Sequence, residues 1–251
     1  MVKKNIFVAI AIFLFILTSQ SFAVPKPLVY FTFDKLDDVI IDSSGNGNDG
    51  MRKGNIKLND NGKVGKCFEF NGNSYIDIAR VVQDDFTLMA WIKTDQVGVE
   101  VGNHGYEGSG LFWSDIGGVA NDFILAVLGK KLSFFCGNPD TSVNSDKEIV
   151  TGDWVHVAGV RSVTDQKISI YINGKFENSI EYLNEGSLNA QPRIHIGGNT
   201  LDRRYYRGLM DEVKIFDSAL TEEDMQQILA FSTVDSIDKI SATWGMLKAN
   251  R

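Results

Sequence analysis

The segment from Arg203 to Arg207 carries the densest binding chemistry in the sequence, in the order Arg-Arg-Tyr-Tyr-Arg. Guanidinium groups form paired hydrogen bonds with planar anions, and tyrosine rings offer flat apolar faces. Arg203, Arg204, Tyr205 and Tyr206 therefore predict a binding site for a sugar that bears an acid or sulfate group. The same residue types also occur on ordinary solvated loops, which is the alternative interpretation.

A second loop, spanning residues 102 to 118, holds His104, Tyr106 and Trp113. Polar and aromatic side chains on one loop are typical of ligand binding, because binding residues concentrate on loops carried by a rigid scaffold. We predict that His104 and Trp113 contribute to the same ligand site as the arginine-rich segment.

Residue patterns for catalysis are few. The three histidines, at positions 104, 156 and 195, have no spacing that predicts a zinc site, and no Gly-x-Ser-x-Gly turn is present for a nucleophilic serine. Glu222 and Asp224 begin the pattern Glu-x-Asp-x-x-Glu, which would place paired acids for glycan hydrolysis, but Gln227 replaces the third acid. The sequence therefore favours a binding protein. A hydrolase or lyase that acts on glycans is the alternative.

Composition excludes one class of partner. The 251 residues have a formal net charge of −7, and no basic tract is longer than two residues. A protein that tracks nucleic-acid phosphates needs a basic surface, so nucleic acid is not an expected partner. With 43% hydrophobic residues, the chain has the balance of a packed globular domain.

The N-terminal residues predict export. Two lysines precede an apolar run from Ile6 to Leu17, which small residues follow at Ser21 and Ala23. We expect residues 1–23 to be a signal peptide, so that the protein is secreted or held in the cell envelope with no transmembrane span after cleavage. An uncleaved anchor is the alternative, although the apolar run is short for a membrane span.

Short apolar segments separated by Gly, Asn and Asp turns predict an all-β fold, an antiparallel sandwich of two sheets. In the segment from Lys167 to Ile172, isoleucines alternate with other residues at the period of a strand, and Asn173-Gly174 then predicts a hairpin. One short C-terminal helix is predicted from Thr221 to Ala230, capped by Thr221. One domain covers residues 24–231, followed by a tail, 232–251. Four residues are predicted in the core: Trp91, Trp154, Ile170 and Val213.

Eight segments, in order, resemble the bacterial laminin-G-like (LamG) jelly-roll domains of the concanavalin A-like lectin/glucanase superfamily. They are Leu28–Asp34, Asp42–Gly50, Gly65–Gly72, Phe86–Lys93, Trp154–Ala158, Ile170–Gly174, Ile196–Asn199 and Gly208–Phe216. The resemblance implies a two-sheet antiparallel jelly roll and a non-catalytic module that binds an extracellular glycan or protein, often with Ca²⁺. A structural or adhesive role in the envelope remains open, since fold alone does not choose a ligand.

The resemblance also implies a calcium ion at one rim of the sandwich. Its ligands would be Asp122 at the start of a strand, a backbone carbonyl near Asn138, and Asn189 ahead of the segment Arg-Ile-His-Ile-Gly-Gly. Oxygen ligands on loops suit this hard cation. The alternative is that Asp122 and Asn189 only hydrogen-bond to their own turns.

A second, structural calcium site is implied by similarity to jelly rolls in general. Asp34 and Asp211 would bind the ion together with backbone carbonyls around Asn46 and Asn48. The alternative is that Asp211 pairs with a nearby amide or arginine.

The two cysteines leave a disulfide open. Export would permit a bridge between Cys67 and Cys136. Both residues also lie in strand-like segments, where a free thiol is a common small core residue.

Overall fold

The computed structural model describes residues 25–98 and 102–230. The predicted signal peptide, residues 1–23, and the predicted tail, residues 232–251, lie outside the described residues. Within the described part of the chain, no helix is long and apolar enough to cross a membrane.

Strands account for most of the regular structure. In chain order they are β1 (Val29–Phe31), β2 (Val39–Ile40), β3 (Gly50–Lys53), β4 (Lys57–Asn59), β5 (Cys67–Asn71), β6 (Tyr75–Ala79), β7 (Phe86–Lys93), β8 (Ser109–Ser114), β9 (Phe123–Leu128), β10 (Lys131–Cys136), β11 (Thr141–Glu148), β12 (Val155–Ser162), β13 (Lys167–Ile172), β14 (Lys175–Glu181), β15 (Arg193–Ile196), β16 (Gly198–Asn199), β17 (Arg204–Tyr205) and β18 (Arg207–Phe216). A 3-10 turn spans Gly105–Glu107, and helix α1 spans 222–230.

The strands form two sheets, as the sequence predicts. The first sheet has the order β14-β13-β12-β7-β18-β5-β4, with β1 also paired to β18. The second has the order β11-β10-β9-β8-β15-β6-β3-β2, and the short strands β16 and β17 extend it beside β8. Neighbouring strands are antiparallel except at the contact of β17 with β8. The fold is therefore a two-sheet antiparallel sandwich of the jelly-roll type.

The hydrophobic core lies between the sheets. Ile168, Ile170 and Ile172 of β13 all face it, which confirms the predicted alternation, and Val213 of β18 is also buried there. Two predicted core residues are elsewhere. Trp91 points to the outer face of β7, where the Lys63 ammonium lies 4.0 Å from its ring, and Trp154 is half-buried just before β12. Large apolar rings favour inward positions, whereas the strand period places Trp91 outward.

Helix α1 covers part of the outer face of the first sheet. Its buried residues Met225 and Ile228 pack with Tyr171 of β13 and Phe216 of β18. The Thr221 hydroxyl accepts a hydrogen bond from Asp224 N, and the Asp224 carboxylate accepts one from Thr221 N. The predicted helix and its cap are confirmed.

Two further predictions concern a turn and a disulfide. Asn173 and Gly174 both adopt positive φ, 53° and 71°, between β13 and β14, which confirms the hairpin. Cys67 lies in the first sheet and Cys136 in the second, and both are free, buried thiols. The Cys67–Cys136 disulfide that the sequence left open is therefore not formed.

Candidate functional site

A cavity of about 520 Å³ opens beside β17. We call it the arginine groove; the residues that define it are Asn71, Gln96, Arg203, Arg204, Tyr205 and Arg207. The position of β17 explains how the groove forms. Its two residues pair with β16, and Tyr205 also pairs with Gly110 of β8, so the chain between the two short strands turns back tightly and leaves Arg203 exposed.

Hydrogen bonds hold the polar floor of the groove. Gln96 Oε1 accepts from Arg207 N at 2.6 Å, and Gln96 Nε2 donates to the carbonyl oxygen of Tyr205 at 3.2 Å. Arg204 Nη1 donates to the Tyr106 carbonyl at 3.2 Å. Among the described residues, no hydrogen-bond or ion-pair partner lies against the guanidinium groups of Arg203 and Arg207, which are exposed. The groove therefore presents two uncompensated cations.

The structure brings the two predicted loops together at Tyr106. Its carbonyl oxygen accepts from Arg204 and, at 3.4 Å, from Asn199 Nδ2. The Tyr106 ring stacks on His104 with a centroid distance of 5.1 Å. His104 lies outside the groove, because its Nδ1 is directed to the Ser142 hydroxyl at 3.3 Å. His104 therefore supports the neighbouring loop.

Two residues predicted to bind ligand are buried instead. Trp113 is 1% exposed and packs against Ile124 and Phe135 on the outer face of the second sheet. Tyr206 belongs to the core between the sheets, and its hydroxyl donates to the Leu209 carbonyl at 2.9 Å. Neither ring can offer a face to a ligand. The alternation along Arg-Tyr-Tyr-Arg, with Tyr205 outward, could have identified Tyr206 as the inward residue.

An acidic pocket of about 420 Å³ lies next to the 199–207 loop. We call Asp115, Asp122 and Asp140 the acidic rim. Asp115 and Asp140 line the pocket, whereas Asp122 is buried beside Asp115. Burial raises the pKa of Asp122, and the neighbouring Asp115 carboxyl group raises it further. Asp122 Oδ1 has no hydrogen-bond partner among the described residues.

The three segments predicted for the rim calcium ion do meet. Asn138 Nδ2 donates to Asn121 Oδ1 at 3.0 Å, and Ala190 N donates to the carbonyl oxygen of Asn121 at 2.9 Å. Asp122 and Asn138 are therefore neighbours, while the side chain of Asn189 is exposed. Asp115 was missed, although it follows β8 directly and the pairing of the consecutive strands β8 and β9 brings it next to Asp122.

The acidic rim fits a hard cation by its donor chemistry. A buried carboxylate oxygen with no donor, next to a second carboxylate, is unfavourable unless a proton or a cation neutralises it. Within residues 25–98 and 102–230, no three His, Cys, Asp or Glu side chains gather closely enough to hold a metal ion. Any ion here would need backbone and amide oxygens in addition to Asp115 and Asp122, as calcium sites commonly use.

The second predicted calcium set is divided between two loops. Asp211 Oδ2 accepts from Val64 N, and Asp34 Oδ1 accepts from Lys66 N, both at 2.9 Å. Asn48 Nδ2, by contrast, donates to the Leu28 carbonyl at 2.8 Å, and Asn46 Nδ2 also donates to that carbonyl. Asp34 and Asp211 thus bind the turn at residues 63–66, while Asn46 and Asn48 bind the start of β1. The hydrogen bonds of these four residues are consistent with backbone anchoring.

The chain is similar to known proteins in both sequence and structure. The family model of the concanavalin A-like lectin/glucanases superfamily matches residues 70–226. Domain 4 of AbnA, a GH43 extracellular arabinanase from Geobacillus stearothermophilus solved in complex with arabinotriose, is similar in structure. Its TM-score is 0.64 at 24% identity, and the match covers 82% of this chain and 98% of that domain. A search of curated proteins found no match.

Clostridial toxin domains are also similar in structure. The binding domain of Paraclostridial Mosquitocidal Protein 1 has a TM-score of 0.61 at 17% identity, with 81% of this chain and 51% of that chain covered. The binding domain of botulinum neurotoxin DC, solved in complex with rat synaptotagmin II, has a TM-score of 0.60 at 15% identity, with 82% and 52% covered. The match spans about half of each toxin domain, so these structures share the sandwich alone.

The family match covers more than half of the sequence, and the two-sheet antiparallel sandwich is consistent with it. The chain belongs to the concanavalin A-like lectin/glucanase superfamily, as a domain of the laminin-G-like type.

Proposed function

We propose that this protein is an exported, non-catalytic recognition module that binds carbohydrate in the arginine groove, supported by Ca²⁺ at the acidic rim. The groove carries the proposal. It presents the exposed guanidinium groups of Arg203 and Arg207, the ring of Tyr205 and the side-chain amide of Asn71 on one concave surface, whose floor Gln96 holds. Amide and guanidinium groups match sugar hydroxyls and carboxylates, and a tyrosine ring matches the apolar face of a sugar.

Two relatives by fold support binding as the function. Domain 4 of the arabinanase was solved with arabinotriose, and a botulinum neurotoxin binding domain was solved with a synaptotagmin. The same sandwich thus serves ligands of both classes. The groove of this chain favours carbohydrate, because its exposed lining is mostly polar and a protein-binding surface needs a larger desolvated apolar centre.

Calcium would act by fixing the loop that builds the groove. The pocket of the acidic rim is also lined by Leu201 and Asp202, which belong to the turn between β16 and β17. An ion held by Asp115 and Asp122 would neutralise these carboxylates and anchor the wall shared with that turn. We therefore expect the affinity of the groove to fall when Ca²⁺ is removed.

A glycan array read with and without EDTA tests the function. We expect binding to a restricted set of oligosaccharides, weaker in EDTA, with no product released from the bound glycans. Arg203→Ala and Tyr205→Ala should each weaken binding by about 1 to 3 kcal/mol. Lys175→Ala, an exposed cation on the first sheet, is the matched control. Binding that survives Arg203→Ala and Tyr205→Ala together would place the site elsewhere, and product release would favour an enzyme.

Export has its own test. Expressed with its native N-terminus in a secreting bacterial host, the protein should be recovered outside the cytoplasm. Its N-terminal sequence should begin at Val24, directly after Ala23. Full-length protein retained in a membrane fraction would favour an uncleaved anchor.

A further inference from the structure

The outer face of the second sheet continues the arginine groove. Tyr75 of β6 points outward, because its neighbours Ile76 and Ile78 face the core. The rings of Tyr75 and Tyr205 lie nearly parallel, with an interplanar angle of 22° and centroids 6.2 Å apart. At that separation two such rings are displaced sideways, so each leaves part of a face uncovered. Both residues are half-buried, so each ring is held by its neighbours and is still accessible to solvent.

Neighbouring residues hold the two rings in place. A side chain at Gly198 would collide with the ring of Tyr205 and with Cβ of Tyr75, so the glycine lets both approach the sheet. The His195 ring packs on Tyr75 with centroids 4.8 Å apart. The nearest carboxylate on this face, Asp77, is paired with Arg193 at 2.7 Å. Packing therefore fixes the position of Tyr75, and the surface around it bears little net negative charge.

Cations flank the two rings. Lys53 of β3 is directly opposite Tyr75 in the ladder, so both side chains stand on the same outer face. Lys53 is exposed, and no ion-pair partner lies against it among the described residues. Arg203 and Arg207 lie at the other end, in the groove that Tyr205 lines. We call Lys53, Tyr75, Tyr205, Arg203 and Arg207 the cationic-aromatic strip.

We propose that the strip binds an anionic sugar chain, with successive sugar rings on Tyr205 and Tyr75 and its acid groups on the flanking cations. This inference rests on the proposed function and names the ligand class. The ring centroids of Tyr75 and Tyr205 are separated by about the length of one sugar residue. Two successive sugars of a chain would therefore contact one ring each, whereas a single sugar would contact only one of the two rings. A neutral chain would leave three cations without a partner, whereas carboxylates or sulfates match guanidinium groups in charge and shape.

Sugar oligomers of defined length test the proposal. Oligogalacturonates of two, four and six residues serve as anionic probes, and arabino-oligosaccharides of the same lengths serve as neutral ones. We expect the tetramer of galacturonate to bind at least about tenfold more tightly than the dimer, and the affinity to fall as salt rises. Tyr75→Ala should remove most of this gain with length while leaving dimer binding within about twofold, and Tyr75→Phe should keep it.

Matched variants test the charge. Lys53→Ala should weaken hexagalacturonate binding several-fold, and Lys57→Ala, an exposed lysine of β4 in the first sheet, should leave it unchanged. Binding of neutral chains alone, or equal effects of Lys53→Ala and Lys57→Ala, would overturn the proposal while leaving the carbohydrate function intact. Tighter binding of poly-glutamate than of hexagalacturonate would assign the strip to acidic protein instead. Binding of no sugar at all would overturn both proposals.

Discussion

Arg161 donates a hydrogen bond from Nη1 to the backbone carbonyl oxygen of Asp84 at 2.7 Å, although Arg161 is 0% exposed and faces inward from β12. The guanidinium group reaches three more backbone carbonyls, those of Gln83, Asn184 and Gly186, at 2.7 to 2.9 Å. One buried cation thus joins the segment before β7 to the segment after β14. Asn184 in turn donates to the Asn138 carbonyl at 2.7 Å, so the same contacts extend to a neighbour of the acidic rim.

The first prediction concerns this arginine. Arg161→Lys should lower the free energy of unfolding by about 2 to 4 kcal/mol, because an ammonium cannot reach four carbonyls that are arranged for a planar fork. Urea denaturation measures the change. Arg203→Lys is the matched control at an exposed position and should change stability by less than about 0.5 kcal/mol. Equal effects at the two positions would contradict the role of Arg161.

The sequence predicted the architecture because strand period and turn chemistry are local properties. The alternation of β13 and the Asn173-Gly174 turn define a hairpin without reference to the rest of the chain. Arg161 is an exception to the rule that inward strand positions are apolar. It occupies an inward position of β12, and only the tertiary structure reveals the carbonyls that make a buried cation acceptable there. The prediction that Trp91 lies in the core was wrong for a related reason, since it followed the hydrophobicity of the residue and not its position in the strand.

The binding residues were predictable in part. Adjacent residues such as Arg203, Arg204 and Tyr205 form a site by sequence proximity alone. Tyr75 and Lys53 could not be associated with them, because strand pairing across the sheet brings them together from more than 120 residues away. Asp115 and Asp122 are close in sequence, since they flank the connection between the consecutive strands β8 and β9, but their proximity also depends on the pairing of those strands. Adjacent binding residues were thus recognised, and residues that strand pairing brings together were not.

The second prediction concerns Gly137, which leaves room for Asp122. A Cβ added to Gly137 would overlap Asp122 Oδ1 and the backbone carbonyl oxygen of Ala120. Gly137→Ala should therefore cost about 1 to 3 kcal/mol of stability, measured by urea denaturation, and should reduce the stabilisation by Ca²⁺. Gly186→Ala is the control, because its nearest neighbour is the end of the Asn184 side chain. A stable Gly137→Ala variant with an unchanged calcium response would contradict the assignment of the rim.

The third prediction is that stabilisation by Ca²⁺ grows as pH rises. The pKa of Asp122 is raised above its ordinary 3.8, so protons compete with the ion below that raised pKa. In calcium-free protein, the folded state keeps a proton that the unfolded chain releases above pH 3.8, and stability falls as pH rises through the folded pKa. We expect the rise in Tm caused by Ca²⁺, relative to EDTA at the same pH, to be larger at pH 8 than at pH 5. A hundredfold excess over Kd would contribute about 2.7 kcal/mol.

Two variants separate the calcium sites in that experiment. Asp122→Asn should abolish most of the response. Asp211→Asn should retain it, because the Asp211 carboxylate already accepts from Val64 N and Glu212 N. Loss of the response in Asp211→Asn alone would place the ion at the site shared with Asp34.

The fourth prediction concerns acid stability and His156. This side chain is buried on the outer face of β12 against the Trp91 ring, with centroids 5.4 Å apart, and its Nδ1 has no hydrogen-bond partner among the described residues. Burial, together with the nearby charges of Lys214 and Lys63, lowers the pKa of His156 to about 3. The unfolded chain therefore binds a proton below about pH 6.5 that the folded protein does not bind, so this stabilising contribution is lost as pH falls from about 6.5 toward 3.

His156→Gln should reduce the slope of unfolding free energy against pH in that window by up to about 1.4 kcal/mol per pH unit, the value for one proton. Urea denaturation at pH 4, 5, 6 and 7 measures both slopes, and identical slopes for the two proteins would mean that His156 is protonated in the folded state.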